Sequence, residues 1–470
     1  MHNEKKSENR AMIIDIVILA AGKGTRMKSQ RAKVLQTLAG KPLLAHVIDS
    51  ARSVSNSHLH IVIGHDAQKV REAFADEEVN WIEQTEQLGT GHAVLQTLQQ
   101  LADQGKTLVL YGDVPLISPG CLYQMLEKVN PNNMSLLTVE LEKPQGYGRI
   151  IRNRENSIKA IVEEKDASDE QKRIRECNSG ILAIDNACLR KLLPQISNHN
   201  KQKEYYLTDL IELACENGIT VNGINAEHVY EVQGINDKKQ LAELERIWQK
   251  KQAEKLLQQG VTLADPDRID IRGSLSHGED VSIDINCIFS GDVQLGDNVR
   301  IGANCIIGEV GKKVIIAENC EIKANTIIEE AIIEPGCVVG PFARLRPGTS
   351  LCSNVKIGNF VETKNAFIGS ESKVNHLSYI GDAELGKDVN IGAGTITCNY
   401  DGVNKHKTRI DDNAFIGSNT SLVAPVNIGK SATIGAGSTI NMNVNEKELA
   451  VARGKQKNIQ GWNRPKKREE

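Results

Sequence analysis

Arg300-Ile301-Gly302-Ala303-Asn304-Cys305-Ile306-Ile307-Gly308 carries the pattern that decides the fold of the second half of this chain. An aliphatic residue followed by glycine recurs every six residues, at Leu295-Gly296, Ile301-Gly302 and Ile307-Gly308. The same step returns at Leu385-Gly386 and Ile391-Gly392, and at Ile428-Gly429 and Ile434-Gly435. Double steps run from Ile368-Gly369 to Ile380-Gly381 and from Ile416-Gly417 to Ile428-Gly429. A six-residue period suits a parallel β-helix, in which each face of a coil takes one hexad. The aliphatic side chain points into the prism, and the small residue beside it lets the chain turn onto the next face. Hexads extend from about Val281 to about Ile440, broken by the polar loop Asn399 to Lys407, and a short helix or arm is expected at Glu446 to Arg453.

Working back toward the N-terminus, the logic changes. Ile13-Ile14-Asp15-Ile16-Val17-Ile18-Leu19 runs into Ala20-Ala21-Gly22-Lys23-Gly24-Thr25-Arg26-Met27, a buried strand entering a glycine-rich turn. Apolar runs at Leu59 to Ile63 and Thr107 to Tyr111 alternate with helical patterns at Leu43 to Ala51 and Gly91 to Leu101. Such alternation predicts a mostly parallel sheet with helices on both faces. Between the halves, Leu241, Leu244, Trp248, Leu256 and Leu257 have roughly helical spacing within Lys238 to Gln259, and Gly260 is placed to end the helix. The expected divisions are a disordered leader at 1–12, an α/β domain at 13–236, a linker helix at 237–260, a left-handed parallel β-helix at 261–460 and a tail at 461–470.

Composition narrows the function classes. A chain of 470 residues has room for two or three domains, and its formal charge of −3 gives no push toward nucleic acid or a membrane surface. No apolar run approaches the ~18 residues of a membrane span. The polar leader Met1 to Arg10 lacks the apolar core of a signal peptide, and Met12 is an alternative start. Arg464 to Arg468 reads as a solvated basic tail. The ten cysteines show no C-x-x-C spacing. Cys287, Cys305, Cys320, Cys337, Cys352 and Cys398 lie in the repeats, several at aliphatic positions, where they read as small core residues. Free thiols and the missing signal together point to a reducing cytoplasm.

Two clusters carry candidate chemistry. Gly22 and Gly24 after a buried strand let backbone N–H groups approach a phosphate, with Lys23, Arg26 and Lys33 supplying charge, although such a turn is equally at home as a plain turn. In Leu110-Tyr111-Gly112-Asp113-Val114-Pro115 a carboxylate sits at the end of a second strand, where it suits Mg²⁺ beside phosphate oxygens or else caps the next helix. In the repeats, Gly340-Pro341-Phe342-Ala343-Arg344-Leu345-Arg346, Asn359-Phe360-Val361-Glu362-Thr363-Lys364 and Asn375-His376-Leu377-Ser378-Tyr379 gather cations, a histidine and a tyrosine on successive coils. Arg346 and Lys364 suit a phosphate. A histidine suits a general base, because imidazoles titrate near neutrality.

The first half resembles the sugar-phosphate nucleotidylyltransferases through Leu19 to Met27 with Lys33-Val34-Leu35. Gln84-x-x-Gln87-Leu88-Gly89-Thr90-Gly91-His92-Ala93, Tyr111 to Pro115, Gly146-Tyr147-Gly148-Arg149-Ile150, Ile161 to Asp166 and Asn178-Ser179-Gly180 follow in the order of the amino-sugar uridylyltransferases. Joined to hexapeptide repeats, everything after the leader resembles the bacterial family that combines N-acetylglucosamine-1-phosphate uridylyltransferase with glucosamine-1-phosphate N-acetyltransferase. The fold expected is therefore α/β plus all-β, a Rossmann-like nucleotidyltransferase domain followed by a left-handed parallel β-helix. One departure is Ala32, where the family usually has proline before the lysine; this loosens the loop.

That resemblance implies residue roles. Leu19, Ala20, Ala21, Gly22, Gln84, Gly89, Thr90, Tyr111 and Gly112 belong to the UTP and UDP-N-acetylglucosamine site, with Arg26 and Lys33 on the phosphates. Gly148, Glu163 and Asn178 contact the sugar, and Asp113 and Asn236 bind Mg²⁺. In the β-helix it implies Arg346, Lys364, Tyr379 and Asn390 for glucosamine-1-phosphate and His376 as catalytic base. Ala393, Asn399, Tyr400, Ser418, Ala436 and Arg453 serve acetyl-CoA, with Ser418 a candidate oxyanion donor. The product implied is UDP-N-acetylglucosamine, a precursor of bacterial cell-wall polymers. Flat β-helix faces suit three-fold closure, so a homotrimer is expected. Two other readings fit the sequence: a single-activity nucleotidylyltransferase whose β-helix assembles or regulates, and a sugar-nucleotide-binding scaffold without turnover. Arg346, Lys364 and His376 together favour two reactions, because an assembling helix has no evident need of them.

Overall fold

The computed structural model describes residues 12–465 and 467, so the leader reading for residues 1–11 and the tail reading for 466 and 468–470 lie outside the described residues. The chain divides into two compact units, with the division between Trp248 and Gln249.

The first unit is built on a nine-stranded sheet whose main path runs Thr220–Asn225, Asn133–Glu140, Glu176–Asp185, Lys106–Tyr111, Ile14–Leu19, Ser57–Ile63, Asn80–Glu83. Ile14–Leu19 is buried along its whole length and pairs in parallel with Lys106–Tyr111 and Ser57–Ile63. Its alternate residues serve two cores. Ile16 and Ile18 pack with Leu44, Val47 and Leu122, whereas Val17 and Leu19 pack with Ala93, Leu189 and Leu210. Burial on both faces is why the run is apolar throughout, each aliphatic side chain contributing about 1.5–3 kcal/mol. On the main path of this mostly parallel sheet, Glu176–Asp185 runs antiparallel to both of its neighbours. Asp15 interrupts the apolar run. Burial disfavours its charge, but His60 (2.9 Å), the Ala102 amide (2.9 Å) and Asn186 (2.8 Å) outweigh burial and hold its carboxyl below the usual range.

Helix Leu43–Arg52 matches its sequence pattern. The pattern at Gly91 to Leu101 is overturned in part: the helix is Thr90–Leu95, and turns follow. Asp113 caps no helix; the helix Pro119–Glu127 is capped by the Ser118 hydroxyl, which accepts from the Cys121 amide.

Helix Lys238–Gln258 follows. Its Leu244 is buried in the first unit against Met27, Leu38 and Ile235, with Leu241 and Trp248 partly buried beside it. Ala253 and Leu256 belong to the core of the second unit, and Leu257 is exposed on the same helix, which matches the helical reading of Lys238 to Gln259. Gly260 ends the helix at φ +93°, and the Val261 amide donates to Leu256 O.

The second unit is a parallel β-helix of stacked two- to nine-residue strands between Thr262 and Ala450. Arg300 and Ile301 lie in register with Glu321 and Ile322 of the next coil. Ile301, Ile307, Ile322 and Ile328 fill one continuous core with Cys287, Cys305, Cys320 and Cys337. The glycine of the hexad is required by the neighbouring coil: a Cβ on Gly302 would lie 2.7 Å from Ala324 N. At one corner a left-handed residue recurs, first Asn304 and Asn325, then Phe342, Phe360 and Leu377, then Gly394 and Asn419. Asparagine tolerates this conformation; phenylalanine and leucine rarely adopt it. The helix considered for Glu446 to Arg453 does not form. Leu449–Ala450 is a strand that extends the stack on Thr433–Ile434.

Candidate functional site

In the first unit, ligands are expected at the carboxyl ends of the parallel strands. There a cavity of about 280 Å³ is lined by Leu19, Ala20, Ala21 and Gly22 from the first strand and its turn, Lys33, Gln84, Gly89 and Thr90, and Tyr111 and Asp113. Gln84 donates to Gly89 O at 3.1 Å, fixing the loop that enters helix Thr90–Leu95. A second cavity, of about 350 Å³, shares Tyr111 and Asp113 with the first and adds Arg26, Gly148, Glu163, Asn178 and Asn236. Every residue that the family resemblance assigned to a nucleotide and sugar lines one of these adjoining cavities except Gly112, which packs in the turn against Ala20, Val34 and Leu44, whereas Gly24 and Lys23, read from the glycine-rich turn as phosphate neighbours, line neither cavity.

Charge is organised where the cavities meet. Lys33 Nζ pairs with Asp113 and donates to Asn236 Oδ1 at 2.8 Å, while Arg26 Nη2 donates to the same oxygen at 2.8 Å. A carboxylate and an amide oxygen thus converge on one cationic point. That donor set suits a hard divalent ion as well as an ammonium. Burial pushes the Glu163 carboxyl up, against a hydrogen bond from the Thr208 hydroxyl at 3.1 Å. Burial, then the Glu163 and Asp113 charges, push the Tyr111 phenol well up, so it stays protonated. Burial and the Glu163 carboxylate push Asp209 up to about 6.

The sequence reading left several lining residues without a role. Gln87 and Gly180 stood inside quoted motifs, so their signal was available. Glu204 comes from a stretch with no motif and reaches the first cavity through the chain's return past Gly89, where the Tyr205 amide donates to Leu88 O.

In the second unit, one corner of the β-helix stacks the expected residues in a column. Asn359 is in register with His376, and the amides of Gly394, Asn419 and Gly437 donate to His376 O, Ala393 O and Ser418 O on successive coils. Ala436 follows Ser418 in that column, and Arg453 Nη1 donates to Ala436 O at 2.8 Å. Asn390 lies on the face that precedes this corner, in register with Lys373. Tyr379 and Lys364 lie on the face that follows it, in register with Glu362 and Gly381. Arg346 Nη1 donates to Glu362 Oε1 at 2.9 Å. The Lys405 ammonium, then Arg346, hold the Lys364 ammonium below its usual range, so three cations gather here, with Glu362 paired to Arg346 and the Asp382 charge acting the other way on Lys364. Lys405 was not singled out in the sequence; it belongs to the Asn399–Lys407 loop. The root of that loop is tied down by Asp382, which accepts from Asn399 and, at 2.6 Å, from Asn365. Tyr400, on the same loop, is 61% exposed.

These features define a nucleotidyltransferase joined to a hexapeptide-repeat transferase. Residues 16–204 match the family described as MobA-like NTP transferase domain, and residues 276–309 and 407–441 match the bacterial transferase hexapeptide family. Full-length relatives are more specific. The chain is 56% identical over 454 residues to the bifunctional protein GlmU of Marinobacter nauticus, covering 97% of this chain and 99% of that one. It is 55% identical to bifunctional protein GlmU of Saccharophagus degradans (97% and 100% covered) and 55% identical to that of Cellvibrio japonicus (96% and 99% covered). The chain belongs to the bifunctional GlmU family.

Proposed function

We propose that the chain acetylates glucosamine-1-phosphate with acetyl-CoA in its β-helix and then transfers UMP from UTP to N-acetylglucosamine-1-phosphate in its α/β domain, releasing pyrophosphate. The observation that carries this reading is the end-to-end likeness to proteins named bifunctional, 56% over 97% of the chain. The domains are proposed as 13–236, 237–260 and 261–460, with a tail at 461–470.

In the first reaction, His376 takes a proton from the sugar amine as that amine attacks the thioester carbonyl, and the thiol of CoA leaves. Arg346, Lys364, Tyr379 and Asn390 hold the sugar phosphate. Ala393, Asn399, Tyr400, Ser418, Ala436 and Arg453 hold acetyl-CoA, with Ser418 on the developing oxyanion. In the second reaction, a phosphate oxygen of N-acetylglucosamine-1-phosphate attacks the α-phosphorus of UTP. Gly22, Gln84, Gly89 and Thr90 orient the uridine, and Gly148, Glu163 and Asn178 orient the sugar. Arg26 and Lys33 neutralise the phosphates, and no side-chain nucleophile is needed. Asp113 and Asn236 are the proposed holders of Mg²⁺, which supplies charge neutralisation across the phosphates when bound. The Lys33 ammonium now stands where the Asp113 carboxylate and the Asn236 amide oxygen converge, a donor set that would hold the ion.

The proposed working form is a cytoplasmic homotrimer. Among the described residues no helix is long and apolar enough to cross a membrane, and the cysteines are free. The test is a one-pot reaction of purified chain with glucosamine-1-phosphate, acetyl-CoA, UTP and Mg²⁺. UDP-N-acetylglucosamine and one free thiol per product support the proposal; pyrophosphate release without thiol release leaves only the uridylyl half. An engineered monomer is expected to keep uridylyl transfer and lose acetyl transfer, and a fully acetylating monomer overturns the trimer requirement.

A further inference from the structure

We infer that Asn359 is a positioning residue for acetyl transfer, holding His376 in the tautomer whose Nε2 accepts the proton. The inference rests on the reading of His376 as base.

Asn359 Oδ1 lies 2.7 Å from His376 Nδ1. With the amide oxygen of Asn359 facing the ring, and an amide oxygen able only to accept, the geometry assigns the hydrogen to Nδ1 as donor. A neutral imidazole has one N–H; placing it on Nδ1 leaves the Nε2 lone pair open. Among the described residues no hydrogen bond is recorded to Nε2, and the His376 side chain is exposed. The ring is therefore tethered at one nitrogen and presented at the other.

The backbone builds this pair. Asn359 ends the strand Lys356–Asn359, His376 ends the strand Lys373–His376, and the two are register partners on adjacent coils. A Cβ on Gly358 would lie 1.9 Å from Asn375 O, so the residue before Asn359 has to be glycine for the coils to close to this distance. Just after the pair, Phe360 and Leu377 both take left-handed backbone, at φ +57° and +50°, and the Leu377 amide donates to Asn359 O at 3.0 Å. Bulky residues in that conformation persist where surrounding structure holds them, commonly at functional sites. Asn359 thus occupies the coil before His376 in the same corner column that continues through Ala393, Ser418 and Ala436.

The test is acetyl-transfer kinetics on the full chain with Asn359→Leu, Asn359→Asp and His376→Ala. Asn359→Leu keeps the side chain's size and removes the acceptor; kcat is expected to fall roughly 10- to 100-fold with KM for both substrates within about twofold. Asn359→Asp keeps an acceptor and is expected to recover kcat to within about fivefold of wild type. Wild-type kcat in Asn359→Leu overturns the inference. So do equal losses in the Leu and Asp variants, or a loss confined to KM. If Asn359→Leu disturbs the coil, its KM for acetyl-CoA rises, and the Asp variant decides. His376→Ala separates the two levels. An active His376→Ala protein overturns the base and the positioning inference together, whereas an inactive one beside a silent Asn359→Leu overturns only the positioning.

Discussion

Replacing Asp113 by asparagine removes the one carboxylate at the point where the two cavities of the α/β domain meet. The side chains gathered there are Arg26, Lys33, Asp113 and Asn236, with a formal charge of +1 from two cations and one carboxylate. The substitution makes it +2. Asp113 and Lys33 are 20% and 13% exposed, so an effective dielectric near 20 applies, and unit charges about 4 Å apart then interact by about 4 kcal/mol. A divalent ion held by Asp113 would lose at least that attraction, and the surviving amide oxygen of Asn236 would not replace it. About 4 kcal/mol corresponds to roughly a thousandfold in kcat/KM. The assay is pyrophosphate release from UTP and N-acetylglucosamine-1-phosphate across a Mg²⁺ titration, with thiol release from acetyl-CoA as an internal control. The expected result is a loss of about three orders of magnitude at fixed Mg²⁺, a higher Mg²⁺ requirement and unchanged thiol release. Uridylyl transfer within tenfold of wild type refutes the reasoning, as does equal loss of both activities.

Ala32 has φ −51° and ψ 143°, inside the range that proline imposes, and its carbonyl already accepts from the Leu35 amide. Ala32→Pro is therefore expected to stabilise the α/β domain by ~0.4–1 kcal/mol, read as a raised urea midpoint with uridylyl activity kept; a lowered midpoint contradicts it. Asp209→Asn tests the burial of a carboxyl pushed up to about 6. The folded state holds that proton more tightly than the unfolded chain, so the contribution of Asp209 favours folding below about pH 4 and is lost as pH rises through about 6. Asparagine is thus expected to gain on wild type above about pH 6, by on the order of 1 kcal/mol after discounting for solvent screening at this half-exposed site, with little gain near pH 4. Equal gains at both pH values contradict that assignment.

What could be read from the sequence followed from periodicity and local chemistry. Ile301-Gly302 and its repeats specify a coil, because the apolar side chain and the missing Cβ are both demanded by the stacked neighbour. Ile16 to Leu19 specify a central strand, because both faces of it are buried. Long-range register was harder to see. No local signal places Asn359 against His376, or brings Glu204 beside Gly89, since both depend on how distant segments pack. Phe342, Phe360 and Leu377 in left-handed corners contradict local preference outright. Helical spacing misled at Gly91 to Leu101, where turns take over after Leu95. Asp15 sits in an apolar strand without a local partner in the sequence; its three hydrogen-bond partners come from elsewhere in the sheet and its loops.

The central claim is that one chain carries two independent transfer sites. The most direct test is to measure both half-reactions on wild type, His376→Ala and Asp113→Asn side by side. The account predicts a crossed pattern: His376→Ala loses thiol release and keeps pyrophosphate release, and Asp113→Asn does the reverse. Loss of both activities in either variant, or a wild type that releases pyrophosphate but no thiol, contradicts it.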